Sequence, residues 1–163
     1  VMQLAAANDA DTSRDRYRDI IAAKTAALSA AAARVGAVAA GRPGAEADLL
    51  ARYGRSLGLA FQLVDDALDY GGASAAMGKN VGDDFREGKV TLPVVIARDG
   101  ADSEEGDLAH AQALLRRRGA IAQTIDQARF FAEDAKDALR SLPQNAYRDA
   151  LEELAGFVVD RAH

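Results

Sequence analysis

Apolar residues recur along this chain at helical spacing, and no segment shows the strict alternation of a strand. The first predicted helix runs from residue 14 to about residue 40, with apolar side chains from Tyr17 to Val38. The second runs from residue 45 to about residue 70 and carries a wide apolar stripe. Shorter helices follow at residues 92–97, 104–118, 120–142 and 144–161. The pattern predicts an all-α protein of about six helices.

Glycine residues add one packing feature to this picture. Gly54 and Gly58 lie four residues apart on the apolar stripe of the second predicted helix. Because glycine has no side chain, this spacing indicates that another helix approaches the backbone closely there.

Composition limits the classes of function. The chain has 163 residues, enough for one domain, with a net charge of −5 and a pI of about 5.0. This acidity makes a nucleic-acid partner unfavourable on electrostatic grounds. The absence of cysteine excludes thiolate metal sites and is compatible with a cytoplasmic location. Charges interrupt the apolar stretches, so we expect no membrane span.

Three carboxylates cluster near the end of the second predicted helix. Asp65, Asp66 and Asp69 interrupt the apolar run Phe61–Tyr70. Aspartate is a poor helix former, carboxylates four residues apart repel each other, and Asp69 lies where the helix dipole favours cations. A divalent cation would relieve this repulsion, and Mg²⁺ prefers hard oxygen ligands. The alternative from the pattern alone is a solvated acidic helix end.

A long polar loop follows this helix. Residues 78–89 combine three glycines with the cations Lys79, Arg86 and Lys89 and the carboxylate of Asp84. Such a loop could bind phosphate through its lysines and support a metal through water, although mobile surface loops often have this composition. Its position directly after the acidic helix favours the functional interpretation.

Two further positions are candidates for ligand contact. Gln62 lies three and four residues before Asp65 and Asp66, so it shares their helix face. Lys24 and Thr25 lie among alanines in the first helix, where a lysine could reach into a cavity and pair with phosphate. The alternative for Gln62 and Lys24 is an ordinary solvent-facing side chain.

The sequence around the acidic cluster resembles a known family. The segments FQLVDDALDY and GKNVGDDFREGKVTLP closely resemble the second aspartate-rich region of the trans-isoprenyl diphosphate synthases, especially the longer-chain polyprenyl members. The family is also resembled by Gln3 and Leu4, by Tyr17, by the run IIAAKTAAL around Lys24 and by the FVVDR ending. The resemblance implies an antiparallel helical bundle of the isoprenoid synthase type, with about six helices of the larger bundle in this chain. It also implies a Mg²⁺-dependent prenyltransferase that condenses isopentenyl diphosphate head-to-tail with an allylic diphosphate.

The resemblance also implies roles for individual residues. Asp65 would bind Mg²⁺ directly, and Asp66, Asp69 and Asp84 would support it through waters. The residues that would contact the allylic diphosphate, and so take part in catalysis, are Lys24, Thr25, Gln62, Lys79 and Lys89.

One part of the family pattern has no counterpart in these 163 residues. The family carries a first aspartate-rich motif and a basic segment for isopentenyl diphosphate, and neither occurs here. We therefore expect the chain to be the C-terminal half of a single synthase domain whose N-terminal half is missing, inactive alone and homodimeric when whole. The alternatives are a non-catalytic regulatory subunit of a heteromeric synthase, a terpene cyclase of related fold and a helical structural module without chemistry. The intact Asp and Lys positions argue against the regulatory subunit, and the glycine–lysine loop argues against the cyclase.

Overall fold

The structure, a computed structural model, describes residues 12–42, 44–71, 84, 89–98 and 108–161. Its regular elements within these ranges are all helical, which confirms the predicted all-α class. A five-residue π-helical turn, Ala22–Ala26, joins the first two helices. The α-helices are α1 Arg14–Ile21, α2 Ala27–Ala39, α3 Gly44–Gly71, α4 Leu92–Arg98, α5 Leu108–Arg117, α6 Ala120–Leu139 and α7 Ala146–Asp160.

Local sequence explains where these helices begin and end. The Asn145 side chain accepts hydrogen bonds from the backbone N–H groups of Tyr147 and Arg148, which caps α7. At the end of α2, Gly41 has a φ of +64°. The Arg42 N–H donates to the Ala37 carbonyl at 3.0 Å, so the two residues complete a Schellman motif. The predicted end of the first helix and both predicted ends of the last helix are therefore correct to within about two residues.

Packing divides the chain into two compact units. Among the described residues, unit 1 comprises those within 12–20 and 63–126, and unit 2 comprises those within 21–62 and 127–161. Unit 1 buries Tyr17, Leu63, Val64, Leu92, Val95 and Leu115. Unit 2 has a core cluster of Tyr53, Ala135, Ala138, Leu139 and Ala155, with four leucines packed against it.

The segment from Arg14 to Ala39 bears on the expectation that the chain has no membrane span. By length and composition it could cross a membrane, with a mean hydropathy of 1.3 over its 18-residue window, of which 22% is buried. Lys24 and Arg34 interrupt residues 20–37, as expected, but two charges among many alanines leave the segment apolar enough to meet this criterion. Length and composition alone do not distinguish a span from a core helix or a signal sequence.

Candidate functional site

The acidic end of α3 belongs to unit 1, and its three carboxylates differ in environment. Asp66 is only 3% exposed. Its Oδ2 accepts a hydrogen bond from the Tyr17 hydroxyl at 2.5 Å. Asp65 and Asp69 are half-buried. The three carboxylates are therefore not one solvated acidic patch, because the middle one is buried and held by a phenol from α1.

Burial and the contact with Asp66 change the pKa of Tyr17. Burial raises the pKa of Tyr17 well above its ordinary value, and the charge and hydrogen bond of Asp66 raise it further. The nearby Leu92 backbone has the opposite effect and lowers the Tyr17 pKa. The phenol therefore keeps its proton at neutral pH and acts as a donor to the Asp66 carboxylate.

Asp69, Asp84 and Lys89 form a second group of contacts within unit 1. The Asp84 N–H donates to Asp69 Oδ2 at 3.2 Å. Lys89 Nζ lies 2.8 Å from Asp84 Oδ1, in an ion pair whose side chains are 31% and 20% exposed. The structure thus brings together two predicted metal-supporting carboxylates and one predicted diphosphate-binding lysine.

Thr25 and Gln62 are paired within unit 2. The Thr25 hydroxyl donates to Gln62 Oε1 at 2.8 Å. Gln62 is 8% exposed, so it is not a solvent-facing helical glutamine. The pairing orients the Gln62 amide with its oxygen toward Thr25.

The π-helical turn carries both Lys24 and Thr25. The Ala27 N–H donates to the Ala22 carbonyl, an i→i+5 bond that adds one residue to the turn. Such π-turns are rare and occur frequently at functional sites. The Lys24 side chain is exposed.

Close helix packing supports the Thr25–Gln62 pair. A Cβ atom built on Gly54 would lie 2.4 Å from the Ser29 carbonyl oxygen, and one on Gly58 would lie 2.8 Å from the Ala26 Cα atom. Both distances are too short for any side chain. The prediction that these glycines permit close helix packing is confirmed.

Arg161 contacts α3 one residue before Gln62. Its guanidinium lies 4.0 Å from the centre of the Phe61 ring. It also donates to the Phe61 carbonyl at 3.0 Å. The residue that follows α7 thus holds the backbone beside Gln62 by a cation–π contact and a hydrogen bond.

The predicted site residues are only partly within the described ranges. Lys79 lies outside them. Inside them, no group of three or more aspartate, glutamate or histidine side chains gathers as a metal ion would require. The roles of the four aspartates therefore stay predictions. Sequence analysis did not identify Tyr17 as a partner of Asp66. Its signals were a tyrosine on the apolar face of α1 and a position that resembles the family.

Known proteins resemble the chain over nearly its whole length. The family model described as polyprenyl synthetase matches residues 1–129. An octaprenyl diphosphate synthase from Haemophilus influenzae is 38% identical over 99% of this chain and 53% of its own length. An all-trans-nonaprenyl-diphosphate synthase from Rhodobacter capsulatus is 36% identical over 99% and 53%.

Solved structures agree with these relatives. A decaprenyl diphosphate synthase from Rhodobacter capsulatus has a TM-score of 0.90 and 42% identity, covering 99% of this chain and 55% of its own. A polyprenyl synthase from Caulobacter crescentus, complexed with calcium and isoprenyl diphosphate, has a TM-score of 0.90 and 47% identity over 99% and 54%. The chain spans about half the length of these relatives. Its helices are those of the isoprenyl synthase fold, and the chain belongs to the polyprenyl synthetase family.

Proposed function

We propose that this chain contributes the second aspartate-rich wall of a prenyltransferase that condenses isopentenyl diphosphate head-to-tail with an allylic diphosphate. The observation that carries the proposal is the acidic end of α3, with Asp65, Asp66 and Asp69 in a chain that belongs to the polyprenyl synthetase family. The relatives that match 99% of the chain are named as octaprenyl and nonaprenyl diphosphate synthases. These names support a long-chain product class.

The donor set suits a hard divalent cation, which we propose to be Mg²⁺. Asp65, Asp69 and Asp84 offer partly exposed carboxylate oxygens, the ligand type that Mg²⁺ takes. The Caulobacter crescentus relative was solved with calcium, another oxygen-binding cation. When bound, the cation supplies positive charge that stabilises the departing pyrophosphate. Asp65 is proposed as the direct ligand, and Asp66, Asp69 and Asp84 as support through water.

The basic and polar residues are proposed to bind the allylic diphosphate. Lys24, Lys79 and Lys89 are proposed to contact the allylic diphosphate as point charges. Lys89 already pairs with the Asp84 carboxylate at 2.8 Å, so diphosphate would have to share or replace that partner. Thr25 orients Gln62, and the Gln62 amide nitrogen is proposed as a donor to a diphosphate oxygen.

The 163 residues alone are proposed to be inactive. The relatives are about twice as long, and the resemblance assigns a first aspartate-rich motif and the isopentenyl diphosphate site to the part that this chain does not match. We likewise propose that the whole protein is a homodimer with a cytoplasmic location.

A graft tests the proposed function. This chain would replace the matched segment of the Haemophilus influenzae octaprenyl diphosphate synthase, which covers 53% of that protein. Incorporation of radiolabelled isopentenyl diphosphate into an allylic primer would be measured with Mg²⁺ and again with EDTA. We expect long-chain product with Mg²⁺, none with EDTA, and none from the 163 residues alone. A soluble graft with native-like helical circular dichroism and no product would contradict the proposal.

A further inference from the structure

Tyr17 connects three helices of unit 1 at the acidic end of α3. We propose that it is a positioning residue of the metal–diphosphate site, whose hydroxyl fixes the Asp66 carboxylate so that the neighbouring Asp65 and Asp69 are correctly presented. This inference rests on the proposed function, because it concerns the same acidic residues. The resemblance assigned no role to Tyr17.

The contact is buried and short. Tyr17 is 2% exposed and Asp66 is 3% exposed. Their oxygens are 2.5 Å apart although the residues are 49 positions apart in sequence. An O–H···O⁻ bond of this length is of the strong, charge-assisted kind. Because a buried carboxylate is costly without donors, the hydroxyl that Tyr17 supplies helps to hold Asp66 in position.

The geometry of a helix transmits this constraint to the other carboxylates. Successive residues of an α-helix are turned by roughly 100° about its axis, since 3.6 residues complete one turn. Fixing the Asp66 side chain against α1 therefore fixes the rotation of the last turns of α3. That rotation decides the directions in which Asp65 and Asp69 leave the helix.

The same hydroxyl also reaches the segment that carries Lys89. The backbone of Leu92, the first residue of α4, lies close enough to the Tyr17 hydroxyl to lower its pKa. Lys89 lies three residues earlier in the chain and pairs with Asp84. The Tyr17 hydroxyl thus binds Asp66 at the acidic end of α3 and lies beside the start of α4.

A positioning role must be separated from simple core packing. Tyr17→Phe keeps the ring and removes only the hydroxyl. Tyr53→Phe is a matched control, because Tyr53 is 3% exposed and its hydroxyl donates to the Leu151 carbonyl at 3.0 Å in the core of unit 2. Each variant loses the hydrogen bond of one tyrosine hydroxyl. A merely structural role of Tyr17 therefore predicts similar changes in metal binding for both variants.

The first measurement needs no turnover. Mn²⁺ would be titrated into the 163-residue chain with inorganic pyrophosphate, and its binding followed by the relaxation of water protons. We expect Tyr17→Phe to weaken Mn²⁺ binding by about tenfold, the lower end of what lost support of a metal ligand costs. Tyr53→Phe should change it less than about twofold, and Asp65→Ala should abolish it.

The second measurement uses the active graft. We expect Tyr17→Phe to raise the Mg²⁺ concentration for half-maximal rate by about tenfold, with a smaller loss in kcat, and Tyr53→Phe to leave both unchanged. Metal binding that depends on Asp65 but is equal in the two phenylalanine variants would overturn this inference alone. Metal binding that Asp65→Ala leaves unchanged would overturn the proposed function as well.

Discussion

At the scale of single residues, two hydroxyl groups hold buried acceptor side chains. Tyr17 donates to Asp66, and Thr25 donates to Gln62. In each case the donor and the acceptor belong to different helical segments of one unit. Because buried acceptors need donors, these hydroxyls fix the orientation of side chains that the proposed function requires.

Asp134, outside the proposed site, is another carboxylate that accepts a hydrogen bond from a hydroxyl group. It accepts hydrogen bonds from Arg52 and from the buried Ser56 hydroxyl, the latter at 2.6 Å. The hydrogen bond from Arg52 is the largest cause that lowers the Asp134 pKa below its ordinary value of 3.8. A carboxyl whose pKa is lowered by folding contributes stability above its unfolded pKa and loses it as pH falls through the folded value.

This predicts the pH dependence of Asp134→Asn. At pH 7 the variant should melt below the wild type, by about 2–4 °C for a loss of roughly 1 kcal/mol at this size. The gap should narrow as the pH falls below the ordinary value of 3.8, where the carboxyl of the unfolded chain takes up its proton before the folded one does. Thermal midpoints between pH 7 and pH 3 provide the measurement. A gap that stays constant down to pH 3 would contradict the assigned contact.

At the scale of elements, the approach of α3 to the π-helical turn and α2 is the best-defined contact of unit 2. Gly58 faces the Ala26 backbone, and Gly54 faces the Ser29 carbonyl. The same approach brings Thr25 within hydrogen-bond distance of Gln62. The two glycines therefore act on the proposed site through the distance between helices.

Gly58→Ala should separate these segments. The added methyl group would lie 2.8 Å from a backbone atom, so the helices must shift, at a cost of about 1–3 kcal/mol in the free energy of unfolding. Gly36→Ala is the control, because nothing lies within 4 Å of the new methyl group and alanine is the better helix former. We expect that control to be stabilised by about 0.5–1 kcal/mol. Urea unfolding measures both, and equal effects would show that the close approach is absent.

The elements also show what sequence can and cannot predict. Helical periodicity and glycine spacing predicted the helices and the close packing at Gly54 and Gly58, because both depend on local pattern. The π-turn at Ala22–Ala26 was not predicted, since an alanine-rich segment favours the ordinary α-helix. The Tyr17–Asp66 contact was also missed, because it joins residues 49 positions apart that only the tertiary fold brings together.

At the scale of the whole molecule, the chain matches about half of each relative and has exposed apolar side chains. On α2, Leu28 is 74% exposed, Val35 is 64% exposed and Val38 is 61% exposed. Leu28 and Val35 are seven residues apart, so they share one helix face. Contiguous exposed apolar surface favours association.

We therefore expect the isolated 163 residues to self-associate. Sedimentation velocity should show weight-average mass that rises with protein concentration. The double variant Leu28→Gln, Val35→Gln should reduce this association, whereas Tyr147→Gln, at a side chain 84% exposed on α7, should not. A sedimentation coefficient independent of concentration in the wild-type chain would contradict this prediction.

The central claim is that the acidic end of α3 is a catalytic metal site, and one substitution tests it most directly. Asp65→Ala would be compared with Asp160→Ala, which removes an exposed carboxylate from the last residue of α7. The measurement is steady-state incorporation of isopentenyl diphosphate by the graft, with thermal midpoints recorded in parallel. We predict a loss of about 10²–10³-fold in kcat for Asp65→Ala, as for other lost electrostatic stabilisers, with the midpoint retained. Near-normal turnover in Asp65→Ala, matching that of Asp160→Ala, would contradict the account.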